Sequence, residues 1–192
     1  MQSEEYELIR RASEGEERAF EELVRAYERR VFAYAYRMLS NREDAEEVTQ
    51  DVFVKVWRTL GRFRGDCSFS SWILKITRNT ATDVLRRRQE TVAPLFSEHP
   101  TDASFLPEPY DLSPASNPPE AYLKAEREET VARAIAALPP DFRQILLLRE
   151  MEGLSYAEIG EVLSIEEGTV KSRISRARQA LKKILTDWNF FL

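Results

Sequence analysis

Apolar residues recur at intervals of three and four through most of the chain. Phe20, Leu23, Val24, Tyr27, Val31, Tyr34, Ala35 and Met38 fall on one face at roughly 100° per residue and predict one long amphipathic helix. Ser40-Asn41 breaks it, and Asn41 is placed to cap a second helix over 42–60 with the stripe Ala45, Val48, Val52, Val56 and Leu60. A loop from Gly61 to Ser68 leads to a third helix from Phe69 to Arg88, with Phe69, Ile73, Ile76, Thr80 and Val84 turned inward. A short helix over 4–13 precedes these, and four shorter ones follow near 120–137, 140–151, 156–163 and 166–186. No segment alternates with period two over a useful length, so no strand is predicted.

Between the two groups of helices the pattern disappears. Residues 93–120 contain Pro94, Pro100, Pro107, Pro109, Pro114, Pro118 and Pro119, seven of the nine prolines in the chain. Proline at that density cannot continue a helix, and mixed with Ser and Asp it predicts an extended, flexible linker. The expected architecture is all-α: a helical domain over 1–92, a Pro-rich acidic linker over 93–120, and a second helical domain over 121–192 that contains a helix-turn-helix. Charge changes the picture only once it is divided. The linker holds no Lys or Arg but carries Glu98, Asp102, Glu108, Asp111 and Glu120, which accounts for the whole net charge of −5. Both helical groups are therefore neutral overall, and local clustering must identify any binding face.

Composition narrows the function classes. At 192 residues, 43% hydrophobic and 32% charged, the chain suits small globular helical domains. No apolar run approaches the length of a membrane span, and Met1-Gln-Ser-Glu-Glu does not begin like a secretory signal, so a cytoplasmic protein without membrane insertion is expected. One cysteine, Cys67, and one histidine, His99, leave little for a disulfide framework or a protein-only metal site. There is no glycine-rich phosphate loop either, so neither a cofactor nor a catalytic site is expected.

The sharpest motif is Gly153-Leu-Ser-Tyr-Ala-Glu-Ile-Gly-Glu-Val-Leu-Ser-Ile-Glu-Glu-Gly-Thr-Val-Lys-Ser-Arg-Ile. Ser155 with Glu158, and Ser164 with Glu167, each have capping-box spacing, which predicts two helices joined by a tight turn. Val170, Ile174, Ala177 and Leu181 share the inner face of the second. Thr169, Lys171, Ser172, Arg173, Ser175, Arg176 and Gln179 occupy the remaining sides, and positions 165–183 hold six basic residues against two acidic ones. Arginine suits bidentate contact with guanine, and Ser or Thr suits phosphate or methyl groups, so this helix is expected to enter the major groove of duplex DNA. A protein-binding hairpin with a solvated basic face is the plain alternative.

Two further faces lie in the first domain. Trp72, Lys75, Asn79, Thr82 and Arg86 form a stripe at spacings of three and four, joined by Arg78 and by Phe63 and Arg64 of the preceding loop. Rings interleaved with cations and amides suit unstacked bases of single-stranded DNA, although each ring taken alone fits a core position better. The 42–60 helix shows Gln50, Asp51, Phe53, Lys55 and Trp57 besides its buried stripe. A second apolar face with charged flanks fits either a partner groove or a central helix buried from two sides.

Taken together, these blocks resemble the extracytoplasmic-function (ECF) group of bacterial sigma factors, the exchangeable promoter-recognition subunits of RNA polymerase. The first domain resembles region 2 of that family in Ala45-Glu-Glu-Val-Thr-Gln-Asp-Val-Phe, in Phe63-Arg-Gly-Asp and in Phe69-Ser-Ser-Trp-Ile-Leu-Lys-Ile-Thr-Arg-Asn-Thr-Ala-Thr-Asp. The second resembles region 4 in Leu138-Pro-Pro-Asp-Phe-Arg, Gly153-Leu-Ser-Tyr-Ala-Glu-Ile-Gly and Gly168-Thr-Val-Lys-Ser-Arg-Ile-Ser-Arg-Ala-Arg. The resemblance implies that the 42–60 helix docks on core RNA polymerase and that segment 63–88 melts and reads the −10 promoter element. It implies that the recognition helix reads the −35 element as duplex, and that an anti-sigma factor controls the chain. Two departures stand out: Ser164 replaces the glycine common at the turn, and Glu166-Glu167 replaces a common Pro-small pair. The apolar end Trp188-Asn-Phe-Phe-Leu192 has no counterpart in the resemblance. Competing readings are another helix-turn-helix regulator, which would need a sensor site in the first domain, a helical adaptor with no DNA role, or a nucleic-acid enzyme, which would need a catalytic constellation.

Overall fold

The computed structural model describes residues 2–92 and 118–190, and all regular structure among them is helical. The helices are α1 (Gln2–Ser13), α2 (Glu17–Leu39), α3 (Arg42–Thr59), α4 (Phe69–Val92), α5 (Pro118–Ala136), α6 (Pro140–Leu146), α7 (Tyr156–Leu163) and α8 (Glu167–Asp187). A 3-10 turn, Leu60–Arg62, follows α3, and a wide π turn, Leu147–Met151, follows α6. Most of the expected linker lies outside the described residues. Its last three residues, Pro118 to Glu120, instead open α5, where proline is tolerated because first-turn N–H groups have no partner inside a helix.

Local chemistry explains most helix boundaries. The Asn41 side chain accepts from the Asp44 backbone N–H at 2.9 Å and starts α3 as predicted. Ser155 and Glu158 form the expected reciprocal box at the start of α7, with Glu158 N–H donating to Ser155 Oγ at 3.2 Å and Ser155 N–H donating to Glu158 Oε2 at 2.9 Å. The second expected box does not form. Ser164 ends α7 in the left-handed region, φ 56, and Glu166 precedes α8 without a side-chain cap. The turn is too tight for one residue to close α7 and also cap α8: Ile165 N–H already reaches back to the Gly160 carbonyl at 3.0 Å.

In the N-terminal lobe, Leu23, Val31, Tyr34 and Met38 of α2 are buried together with Val48, Val52 and Val56 of α3 and Ile73 of α4. In the C-terminal lobe, Ile145, Leu148, Ile159, Val162, Val170 and Ile174 form the interior. Each such side chain contributes about 1.5–3 kcal/mol by leaving water. The lobes are packed on one another, and a single apolar cluster runs through both. α7 lies against α4, while α5 and α6 lie against α2. Burial of α4 accordingly exceeds the predicted stripe: Leu74, Thr77 and Ala81 are fully inaccessible as well.

Candidate nucleic-acid interface

The helix-turn-helix is built from α7 and α8 around one close approach. A Cβ added at Gly160 would stand 2.8 Å from the Ile165 carbonyl oxygen, so only glycine lets α7 meet the turn this tightly. Val170, Ile174 and Ala177 are buried, which fixes the rotation of α8. Lys171, Ser175, Arg176 and Gln179 are then exposed, and Thr169, Ser172 and Arg173 are half-buried. Ser172 Oγ donates to the Thr169 carbonyl at 3.0 Å, while Arg178 is drawn back to Glu150 at 2.6 Å. A shallow depression beside the turn is lined by Gly160, Glu161, Ser164, Glu166 and Glu167. The first turn of α8 thus presents carboxylates, and the exposed cations of the helix begin at Lys171.

The stripe on α4 is only partly open. Asn79 and Arg86 are exposed, Trp72, Lys75, Arg78 and Thr82 are half-buried, and Arg64 in the preceding loop is exposed. Phe63, Phe69 and Trp72 form one ring cluster, with centroids 5.3 Å apart for Phe63–Trp72 and 5.6 Å for Phe69–Trp72. Phe69 is core, whereas Phe63 and Trp72 pack on it and keep one side accessible. The Arg78 guanidinium is engaged twice, donating to Asn79 Oδ1 at 2.9 Å and to Gln144 Oε1 of α6 at 2.8 Å. Arg86 pairs with Asp83 at 3.3 Å, and the Thr82 hydroxyl donates to the Arg78 carbonyl at 2.8 Å.

On α3, Gln50, Asp51, Lys55 and Trp57 face solvent. Phe53 does not, because it is 9% exposed and belongs to the interior of the lobe. Its neighbour Val54 is the exposed apolar residue there, at 47%. Trp57 lies across Phe20 with ring centroids 4.7 Å apart and remains 41% exposed, and Lys55 donates to Thr80 Oγ1 at 2.9 Å.

Titration follows these contacts. The Ser155 backbone N–H and hydroxyl, helped by Ser71 and Ser68 of the other lobe, hold the Glu158 carboxyl below its ordinary range. Burial pushes the Cys67 thiol up, which disfavours the reactive thiolate. Among the described residues no group of three or more His, Cys, Asp or Glu side chains could hold a metal ion, and no helix is long and apolar enough to cross a membrane.

Comparison with known proteins joins the two interfaces. Residues 23–91 match the family profile of Sigma-70 region 2, and residues 128–181 match that of Sigma-70, region 4. The RNA polymerase sigma-H factor of Pseudomonas aeruginosa is 39% identical over 186 residues, 96% of this chain and 95% of that protein. The ECF RNA polymerase sigma-E factor of Escherichia coli K12 is 36% identical over 174 residues, 91% of this chain and 90% of that one. The chain belongs to the ECF sigma factors. Among solved structures, CnrH in complex with the cytosolic domain of CnrY superposes with a TM-score of 0.66 at 26% identity, covering 94% of this chain and 96% of that one. The sigma factor RpoE of Bartonella quintana, bound to the anti-sigma factor NepR, shares the fold with a TM-score of 0.67 at 24% identity over 87% of this chain and 96% of that one. As a sigma factor the chain serves transcription initiation, binding core RNA polymerase and promoter DNA. Region 2 of this sigma factor spans α2 to α4, and region 4 runs from the later part of α5 into α8. Sequence patterns bring out the exposed side of α8 and part of the stripe on α4 but miss the polar links between the regions, whose partners lie as far as 122 positions apart.

Proposed function

We propose a division of labour among three faces of this sigma factor. On α8, Arg173, Arg176, Lys171 and Gln179 read the duplex −35 element, with Thr169, Ser172 and Ser175 placed for phosphate or methyl contacts. On region 2, Asn79 and Trp72 receive bases of the melted −10 element, while Arg64, Lys75, Arg78, Thr82, Arg86 and Phe63 hold the strand around them. On α3, Gln50, Asp51, Lys55 and Trp57, with Val54 in place of the buried Phe53, dock on core polymerase. The observation that carries this reading is the presence, in one sigma-family chain, of an exposed basic recognition helix and a separate aromatic-cationic face.

The chain performs no chemistry in this scheme: it positions polymerase on DNA in the cytoplasm and leaves catalysis to the core enzyme. The two helical domains act either side of the proline-rich segment, which serves as tether between the two DNA faces up to the start of α5 at Pro118. Control by an anti-sigma factor is part of the proposal, supported by the structural neighbour bound to NepR. An inhibitor helix laid on α3 would exclude polymerase by mass action without altering the fold.

Run-off transcription with core polymerase across a genomic promoter library tests the whole assignment. Initiation is expected at a restricted set of promoters that share both elements. Asn79→Ala and Trp72→Ala should impair opening more than closed-complex formation, seen as weakened permanganate reactivity at −10. Normal melting in both variants would remove the −10 assignment and leave Trp72 as a core residue.

A further inference from the structure

We propose that α2 carries, on the side that meets α4 and α6, a binding site for a compact phosphate-bearing anion, built from Tyr34, Arg37, Arg78 and Arg143. Arg30, Tyr34 and Arg37 follow one another at spacings of four and three, so they share one face of α2. Arg143 of α6 donates to the carbonyl of Met38, the residue after Arg37, and its neighbour Gln144 accepts from Arg78 of α4 at 2.8 Å. The Tyr34 hydroxyl lies within electrostatic range of Arg78 and Glu152, and Arg37 within range of Glu152. Arginines from separate helices thus converge around one buried phenol.

Their charge is not balanced. Among the described residues Glu152 is the carboxylate that faces them, and it is bonded to Arg30. Arg78 donates to the neutral amides of Asn79 and Gln144, and Arg143 to the backbone carbonyls of Met38, Ala136 and Leu138. Arg37 has the Ala33 carbonyl of its own helix at 3.4 Å, near the outer limit of a hydrogen bond. Asp141, close by on α6, is held by the Gln144 amide at 2.9 Å. Arg37, Arg78 and Arg143 are all half-buried, and burial pushes the guanidiniums of Arg37 and Arg143 below the ordinary arginine range. Charge withdrawn from water in this way normally has a counterion.

Two orphaned donors point the same way. The Tyr34 hydroxyl and Arg143 Nε are both buried without a hydrogen-bond partner, a condition that folded proteins seldom leave unexplained. A bridging water would satisfy either donor but bring no charge. A phosphate group supplies both, since its oxygens accept from several guanidiniums and a hydroxyl at once, whereas a carboxylate offers two oxygens. The Arg30 side chain keeps 34% of its exposure at the edge of the cluster, so the arginines are reached from solvent. Tyr34, Arg37 and Arg143 belong to none of the promoter-facing or polymerase-facing groups proposed above.

Isothermal titration calorimetry on the full chain, at fixed ionic strength and without divalent metal, compares inorganic phosphate, inorganic triphosphate and guanosine triphosphate. Inorganic phosphate and triphosphate should each saturate a single site per chain. Guanosine triphosphate binding no more tightly than inorganic triphosphate would name the phosphate chain alone as ligand, and a gain from the nucleoside would name a nucleotide. Arg37→Gln should weaken binding about tenfold or more, the loss of a charged hydrogen-bond donor. Tyr34→Phe should weaken it about threefold without lowering the melting midpoint, because the change removes an unsatisfied hydroxyl and keeps the ring. It therefore carries the test even if Arg37→Gln fails to fold. Arg25→Gln, on the exposed side of α2, controls for general attraction to cations and should bind as the parent chain does. Absence of saturable binding by inorganic phosphate and triphosphate would overturn the site. Equal affinity in Tyr34→Phe, Arg37→Gln and Arg25→Gln would overturn it as well.

Discussion

Individual residues show where spacing informs and where it misleads. Ser164 has the sequence spacing of an N-cap, yet it closes α7 at φ 56, a conformation that disfavours any side chain. Ser164→Gly should therefore raise stability by about 0.5–1 kcal/mol, the relief of left-handed strain exceeding the entropy that glycine adds to the unfolded chain. Denaturant titration checks this, and an unchanged or lowered midpoint would show that Ser164 is held there at no cost. Phe53 and Trp57 illustrate the opposite limit. Both were legible as apolar positions off the main stripe of α3, but only three-dimensional packing decides that Phe53 turns into the lobe and Trp57 stays 41% exposed over Phe20. Trp72 lies between these cases, its ring packed against Phe63 and Phe69 yet only half-buried.

Elements were read well wherever a cap or an apolar stripe defined them. Asn41 begins α3 and Ser155 begins α7 as their side chains require, because capping is local chemistry within a few residues. The width of burial on α4 was not legible, since α7 covers it from a distant part of the chain. Two predictions belong here. The first concerns the capping box of α7, where hydrogen bonds from Ser155 lower the Glu158 carboxyl. A lowered carboxylate stabilises the fold fully above its ordinary range, and this contribution is lost as pH falls through the lowered value. Glu158→Gln keeps the acceptor but loses the charge, so it should cost about 0.5 kcal/mol at neutral pH and progressively less in acid. Thermal melts of both chains across that range give the comparison, and a difference independent of pH would assign the cost to packing instead. The second concerns α8, whose rotation leaves Arg176 exposed on the side away from Val170 and Ile174 and Arg173 half-buried on the flank. Arg176→Ala and Arg173→Ala should each lose roughly 1–3 kcal/mol at promoters with a good −35 element. Equal losses on templates with a scrambled −35 sequence would reduce both to phosphate contacts.

At the scale of the whole molecule, the sequence separates two helical groups by a proline-rich acidic segment and so makes them look independent. Their packing against one another depends on pairs such as Arg30–Glu152 and Arg78–Gln144, which no periodicity connects. Each proposed DNA face is small, and the packing of the lobes leaves the outer sides of α3 and α8 accessible while Arg78 and Ser71 are engaged. Simultaneous contact with −35 and −10 therefore needs an outside scaffold to fix the spacing of the lobes. In the proposed scheme core polymerase provides it by binding α3, and the second DNA contact then becomes intramolecular, with an effective concentration set by geometry rather than by bulk protein. Free sigma factor should accordingly bind promoter duplex weakly and with strong salt dependence, whereas addition of core should increase promoter occupancy by about two orders of magnitude or more. Gel-shift titrations with and without core enzyme, paired with permanganate reactivity at −10, measure both quantities on the same template. Melting of a promoter by the purified chain alone would contradict this scheme, because it would show that the lobes need no scaffold to act on one promoter together.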